Sequence, residues 1–279
     1  MTSKKQFDSK EVGLEIGLVI FKYFLKSEYL HYGLFTDGLE GDIGNLAQAQ
    51  ANYAEFLHAH IPDGVETILD VGCGSGKMAQ TLIQHGYRVD CVSPSKLLAE
   101  RARTLVGDEC EIFLCGFEDL RTEKRYDLVL FSESFQYIPV ETALGNALQF
   151  AKPDGHVLVS DYFKTDAPGD CLLGGGHSFT EWEQQLPDYP LEIVHEQNIT
   201  ELTAPTVDVI NSFSQELLHP VWKLAFVLVD NKYPRVSRFL RWKFRKKIAK
   251  LEKKHFTGGR TAEVFKKHKQ YMFYLFRKR

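Results

Sequence analysis

The sequence predicts an α/β fold, a mostly parallel sheet with helices on both faces and a helical cap. Three observations point there. Ile68-Leu69-Asp70-Val71 is an apolar run set between the turn Pro62-Asp63-Gly64 and the glycines of Gly72-Cys73-Gly74-Ser75-Gly76, the pattern of a buried strand. Met78, Ala79, Leu82 and Ile83 then recur at helical spacing, so the strand passes through a glycine bend directly into a helix. Further apolar runs alternate with helical stretches down the chain, the order of a parallel sheet.

At 279 residues the chain allows one large α/β domain with an appended cap, or two small domains, and 44% hydrophobic and 13% aromatic content predicts a packed, aromatic-rich core. Five cysteines (Cys73, Cys91, Cys110, Cys115, Cys171) show neither Cys-x-x-Cys nor ligand spacing. They predict small core residues in a reducing, cytoplasmic setting and no bound metal. The apolar N-terminal stretch, residues 12–25, is broken by Glu15 and Lys22 and falls short of a membrane span. The net charge of −3 conceals an asymmetry, because residues 232–279 hold 18 Lys+Arg and two acids while the remainder holds 16 and 35. Such a block predicts a face for nucleic acid, anionic lipid or an acidic substrate, or a tail packed on the acidic body.

Glycine lets a backbone take positive φ and approach a ligand closely. The helix after the bend points its first N–H groups back at it, which suits a carboxylate or phosphate. A phosphate loop is excluded because Met78 follows Gly76-Lys77 and Val71 stands at the first glycine position. Lys77 likewise excludes the dinucleotide fingerprint Gly-x-Gly-x-x-Gly. The form that fits, Asp70-x-Gly72-x-Gly74-x-Gly76, resembles motif I of the class I S-adenosylmethionine methyltransferases. The resemblance implies a Rossmann-like, seven-stranded sheet and S-adenosyl-L-methionine as cofactor, released as S-adenosyl-L-homocysteine. It also implies that Asp70 faces the donor's ammonium while Gly72 and Gly74 make room for the sugar and amino acid.

Taken in order, residues 11–26 and 45–60 read as helices flanking the aromatic loop Tyr29-Leu30-His31-Tyr32-Gly33-Leu34-Phe35. In methyltransferases resembling this chain such a segment folds over the donor. His31 is then a substrate-side candidate and Tyr32 a catalytic one, unless the loop is an ordinary aromatic anchor. The second strand, Arg88–Val92, runs into Ser93-Pro94-Ser95. Many nucleotide sites place an acid here for the ribose; this chain has Ser93, with Asp90 back along the strand on the other face. A hydroxyl at this place resembles the tocopherol methyltransferase and cyclopropane fatty acid synthase branch, implying that Ser93 and Pro94 border the ribose. The third strand, residues 111–114, leads to Gly116-Phe117-Glu118. The resemblance places adenine there, served by the Phe117 main-chain N–H and ring edge; the alternative puts Phe117 in the core.

The fourth strand, residues 126–131, ends in Ser132-Glu133-Ser134-Phe135-Gln136-Tyr137-Ile138-Pro139. Glu133, Ser134 and Pro139 match a Ser-Met-Glu-Ser-Gly-Glu-His-Met-Pro-like segment of the tocopherol-type enzymes, whereas Gln136 and Tyr137 stand in place of Glu-His. Ser132 is expected at the cofactor, Gln136 at the substrate and Tyr137 among the catalytic groups. Gln136 cannot take a proton and tyrosine titrates near 10, so the chemistry is expected to rest on positioning. Beyond the fifth strand (156–160), Phe163 is a substrate candidate. His177, after Gly174-Gly175-Gly176, is the candidate general base or else a surface histidine. Thr180-x-x-Glu183 reads as a capping box, and residues 191–196 and 270–276 as the last two strands. Between those strands lie apolar positions at helical spacing over 206–229, with Trp222 a substrate-side aromatic. A basic amphipathic helix after Pro234 carries Val236, Phe239, Leu240, Phe244, Ile248 and Leu251 on one stripe.

The expected organisation is a helical cap segment over 1–60, a cofactor-binding core over 61–200, a helical insertion over 201–256 and the core's last helix and strand over 257–279. The implied function is methyl transfer to a small apolar or amphiphilic acceptor: a lipid, an isoprenoid or quinone, or an aromatic metabolite. The basic helix is the candidate for peripheral membrane contact. A soluble natural-product or amine methyltransferase is the alternative. Nucleic acid is the weaker partner, since the tail's aromatics fall on the apolar stripe and no Asn-Pro-Pro-Tyr motif follows the fourth strand.

Overall fold

The computed structural model describes Val19, residues 22–23 and residues 27–279 except Asp37 and Asp170, with the Lys254 side chain also left out. Most of the helix expected over residues 11–26 therefore lies outside the described residues.

Side chains along each strand alternate between two cores, as a pleat requires. The strands are β1 (Thr67–Val71), β2 (Arg88–Val92), β3 (Ile112–Phe113), β4 (Tyr126–Ser132), β5 (Ala151–Lys164), β6 (Leu191–Asn198) and β7 (Lys269–Lys278). They form one sheet in the order β3-β2-β1-β4-β5-β7-β6, with β7 alone running against its neighbours. On one face Ile68, Val89, Leu128, Leu158 and Phe273 pack with helices α1 (Leu46–Ala59), α2 (Lys77–Gln84) and α3 (Lys96–Val106). On the other, Leu69, Val129, Phe131, Val157 and Tyr274 pack with α4 (Val140–Phe150) and with Trp182 of α5 (Phe179–Gln185). The expected seven-stranded, mostly parallel sheet is what the chain forms.

Two local expectations change. Helix α5 is capped by Ser178, whose Oγ accepts the Glu181 N–H, while the Thr180 hydroxyl donates to Asp166 at 2.6 Å. The capping box starts two residues early because Lys164 bridges to Ser178 and fixes the chain there. Phe163 is not substrate-side: it is buried against Phe135, Phe179, Trp182 and Tyr274. It shares pleat parity with Val157 and Val159, so it enters the second core.

After β6 come α6 (Thr200–Thr203), α7 (Pro205–Phe213), a π-helical turn (Ser214–Leu218), α8 (His219–Lys232), α9 (Pro234–His255) and α10 (Ala262–His268). Helices α8 and α9 form an antiparallel hairpin, joined by His219 stacked on Phe256, Trp222 donating to Glu252, and Asp230 accepting from Ser237 and Arg241. That corrects the place of Trp222, which ties the hairpin together. Helix α8 buries none of its residues. Val221, Leu224, Leu228, Val236, Phe239 and Trp242 are all exposed. Among the described residues, the ion pair that α9 makes is Arg241–Asp230, within the hairpin; its basic face does not pack on the acidic body. No helix among the described residues is long and apolar enough to cross a membrane.

Candidate active site

The site lies at the carboxyl ends of the parallel strands, where open α/β sheets bind ligands. At the tip of β1, Asp70 is 1% exposed and its Oδ2 has no protein partner. Burial pushes this carboxyl up to about 7. A buried carboxylate oxygen of this kind is satisfied by a cation. The bend beyond it needs glycine at Gly72, where φ is +77° and a Cβ would lie 2.5 Å from the Ser134 Cβ. Gly74 faces Leu30 of the N-terminal loop. An unpaired acid beside a bend of bare backbone fits the ammonium and amino-acid end of S-adenosylmethionine.

The nucleoside-side residues are placed less uniformly. Ser93 is buried and its Oγ donates to the Ser95 carbonyl at 3.3 Å, with Pro94 exposed beside it. Glu118 folds its carboxylate over Gly116, where a Cβ would sit 2.6 Å from Oε1. The Phe117 ring does not border a base: it is 2% exposed and lies between Phe131 and Phe150, 5.6 and 5.8 Å away. The 3-10 turn Phe117–Asp119 aims the ring into the second core. Of the two Phe117 groups expected at the base, the main-chain N–H stands at the start of that turn.

Across the bend a hydroxyl and carboxyl cluster gathers groups from five elements. Glu133, just after β4, holds φ +54°, a left-handed conformation unfavourable for a residue with a Cβ. Its N–H is tied to the Ser160 carbonyl at 2.9 Å. Its Oε1 accepts from the Tyr32 N–H at 2.5 Å and the Tyr271 hydroxyl at 2.8 Å. Among the described residues Oε2 has no protein partner, and the residue is only partly buried. Tyr271 lies 3.0 Å from the Tyr53 hydroxyl, which lies 2.8 Å from Ser160 Oγ, and Ser132 Oγ donates to Tyr53 at 3.4 Å. Burial pushes the Glu133 carboxyl up to about 8, reinforced by the charge of Asp161 and opposed by the Tyr32 and Tyr271 bonds.

Asp161 differs. Both oxygens are held, Oδ2 by the Gln136 N–H at 3.0 Å and Oδ1 by Gln136 Nε2 at 3.0 Å and the Tyr162 N–H at 2.8 Å. Burial pushes it up to about 7, but its partners mark a structural role. Gln136 thereby commits its Nε2 to Asp161, while its buried Oε1 has no hydrogen-bond partner. Tyr137 is 77% exposed at the mouth, within electrostatic reach of Tyr32 and Tyr162.

His31 sits between the rings of Tyr29 and Tyr53, at 4.7 and 4.3 Å. Its Nδ1 donates to the Tyr32 carbonyl at 2.7 Å, and its buried Nε2 has no protein partner. Burial lowers its pKa to about 4, so the ring is neutral at pH 7. The Tyr32 ring packs with Tyr162, Phe265 and Tyr271. His177 donates Nε2–H to the Phe135 carbonyl at 3.0 Å and packs on that ring. Among the described residues its side chain makes no hydrogen bond to Glu133, Tyr32, Tyr53 or Tyr271, and it anchors its own loop to the 3-10 turn Phe135–Tyr137. The carboxyl with a free oxygen that the sequence alone does not single out is Glu133. It stood inside a quoted segment, but its partners Tyr53 and Tyr271 come from α1 and β7, far along the chain.

A methyltransferase-domain family model matches residues 46–247. Malonyl-[acyl-carrier protein] O-methyltransferase 1 of Ilyobacter polytropus is 29% identical over 110 residues, 37% of this chain and 41% of that protein. Ubiquinone biosynthesis O-methyltransferase of Rickettsia prowazekii is 29% identical over 102 residues, 35% of this chain and 40% of that protein. The match spans about two fifths of the length of these curated relatives. Among solved structures, geranyl diphosphate C-methyltransferase from Streptomyces coelicolor A3(2) superposes with a TM-score of 0.66 at 14% identity, over 99% of this chain and all of that one. That likeness is one of fold.

Proposed function

The chain belongs to the methyltransferase-domain family, and from that premise we propose that it methylates a small amphiphilic acceptor, with Glu133 as the proton acceptor. The observation that carries the reading is Asp70 Oδ2, buried and unpaired beside a bend that only glycine fits. S-adenosylmethionine, when bound, supplies a methyl group already activated by its sulfonium charge. The chain's own work is to hold, align and exclude water. Asp70 grips the ammonium, Gly72 and Gly74 admit the amino-acid end, and Ser93, Pro94, Gly116 and the Phe117 N–H border the nucleoside. Ser132 closes the β4 side through Tyr53.

An O–H or N–H acceptor loses a proton as it is methylated. Glu133 Oε2 is the oxygen free to take it, and a carboxyl near 8 suits proton transfer close to neutral pH. Tyr32 and Tyr271 fix Oε1 and so orient the other oxygen. Residues 1–60 and 201–256 are read as the cap over the acceptor. The α8–α9 hairpin, apolar and basic at once, supports an acceptor drawn from an anionic membrane surface.

The test is to incubate the protein with methyl-tritiated S-adenosylmethionine and a total lipid extract. Label is expected in the organic phase, and loss of label is expected in Asp70→Asn and Glu133→Gln. Label confined to water-soluble metabolites would overturn the amphiphilic acceptor. No label in any fraction would overturn the transferase.

A further inference from the structure

We infer that the acceptor carries an anionic group, a carboxylate or a phosphate, and that Arg260 binds it in a small cleft between α7, the N-terminal loop and the end of α9. The inference rests on the methyltransferase reading only for which molecule enters the cleft. The walls are mixed: Val207 and Ile210 of α7 are apolar, and Asn211, Ser214, Arg260 and Tyr32 bring polar groups. A π-helical turn, Ser214–Leu218, begins at this wall; such turns frequently mark functional sites.

Arg260 is the group without a protein counterpart. Its Nε is buried with no hydrogen-bond partner, and among the described residues it makes no ion pair. A guanidinium stays charged at every working pH and presents a fork of donors. Leaving such a donor buried and unpaired is unfavourable. Other arginines are matched: the half-buried Arg101 pairs with Glu28, and at the surface Arg88 pairs with Glu66, Arg277 with Asp154, and Arg121 and Arg125 cap carbonyl oxygens. The acid of α7, Asp208, accepts from the Ala262 N–H at 2.7 Å instead. A carboxylate or phosphate accepts two donors of the fork at once.

The position also fits an acceptor. Tyr32 lines the cleft with its side chain and holds Glu133 with its N–H. An anionic group held at Arg260 is therefore bordered by Tyr32, the residue that also holds Glu133.

Calorimetry with hexanoate, hexyl phosphate and hexanol as probes, with and without S-adenosylhomocysteine, tests this. One of the two acids is expected to bind at least tenfold tighter than hexanol, and which one identifies the head group. Arg260→Gln should bring that acid down to the hexanol level, and Arg260→Lys should keep part of the preference. Both variants should bind S-adenosylhomocysteine as the wild type does, which also shows that they fold. If Arg260→Gln does not fold, the wild-type preference and the Arg260→Lys variant decide. Equal binding of acid and alcohol, an unchanged affinity in Arg260→Gln, or no probe bound at all would overturn the inference. Loss of S-adenosylhomocysteine binding by the wild type would instead overturn the methyltransferase reading, and the acid preference is measured independently of it.

Discussion

Tyr271 donates its hydroxyl to Glu133 Oε1 at 2.8 Å, joining residues 138 positions apart. This bond favours the ionised carboxyl and works against the burial that pushes it up to about 8. A base must be unprotonated to act, so kcat/KM should fall about tenfold per pH unit below about 8. Tyr271→Phe removes the opposing bond and moves that limb to higher pH. At pH 7 the rate should drop roughly threefold to tenfold, and unfolding free energy by about 1 kcal/mol. A limb that stays in place, or shifts downward, would remove Glu133 as the base.

Asp70 joins function to a stability penalty. Its folded value of about 7 lies above the ordinary 3.8, so between these the native state holds a proton that the unfolded chain has released. Stability must therefore fall as pH rises from about 4 to about 7, with the full loss present above 7. Asp70→Asn has no charge to bury. Its gain in unfolding free energy should be near zero at pH 4 and on the order of 2–4 kcal/mol at pH 8. Calorimetry on the same variant should show no binding of S-adenosylmethionine. Wild-type-like donor affinity would take Asp70 out of the site.

The strands and the bend were legible because each leaves a local mark: a continuous apolar run in Leu128 to Phe131, buried on both faces, and glycine where Ser134 crowds Gly72. Phe163 was misread although its parity with Val157 and Val159 was available. Ring direction at Phe117 depends on a three-residue turn that composition does not encode. The glycines before His177 announce a loop, but not that Nε2 is committed to the Phe135 carbonyl. Glu133 could not be ranked from sequence, because its environment is built by Tyr32, Tyr53 and Tyr271.

The contact between Gly72 and Ser134 makes a separate prediction. Gly72→Ala must hold a Cβ at φ +77° and 2.5 Å from the Ser134 Cβ. The left-handed backbone costs about 1–2 kcal/mol and the overlap about 1–3 kcal/mol more. Urea denaturation should show a loss of about 2–5 kcal/mol. Adding Ser134→Gly should recover the overlap but not the backbone share. A Gly72→Ala loss under about 0.5 kcal/mol would mean that the bend is loosely packed.

The α8–α9 hairpin predicts where the protein works. Helix α9 holds ten Lys+Arg against one acid, and Phe239 and Trp242 stand 52% and 67% exposed beside them. Each basic residue near an anionic bilayer contributes about 1 kcal/mol, screened by salt. Each aromatic that enters the interface contributes about 1.5–3 kcal/mol at full burial. The protein should sediment with vesicles containing anionic phospholipid, release them as salt is raised, and bind phosphatidylcholine vesicles weakly. The double variant Phe239→Ser, Trp242→Ser should weaken binding at least tenfold, because it removes apolar contact while leaving every charge in place. Equal binding to neutral vesicles, or none to anionic ones, would mean that this face meets something other than a membrane.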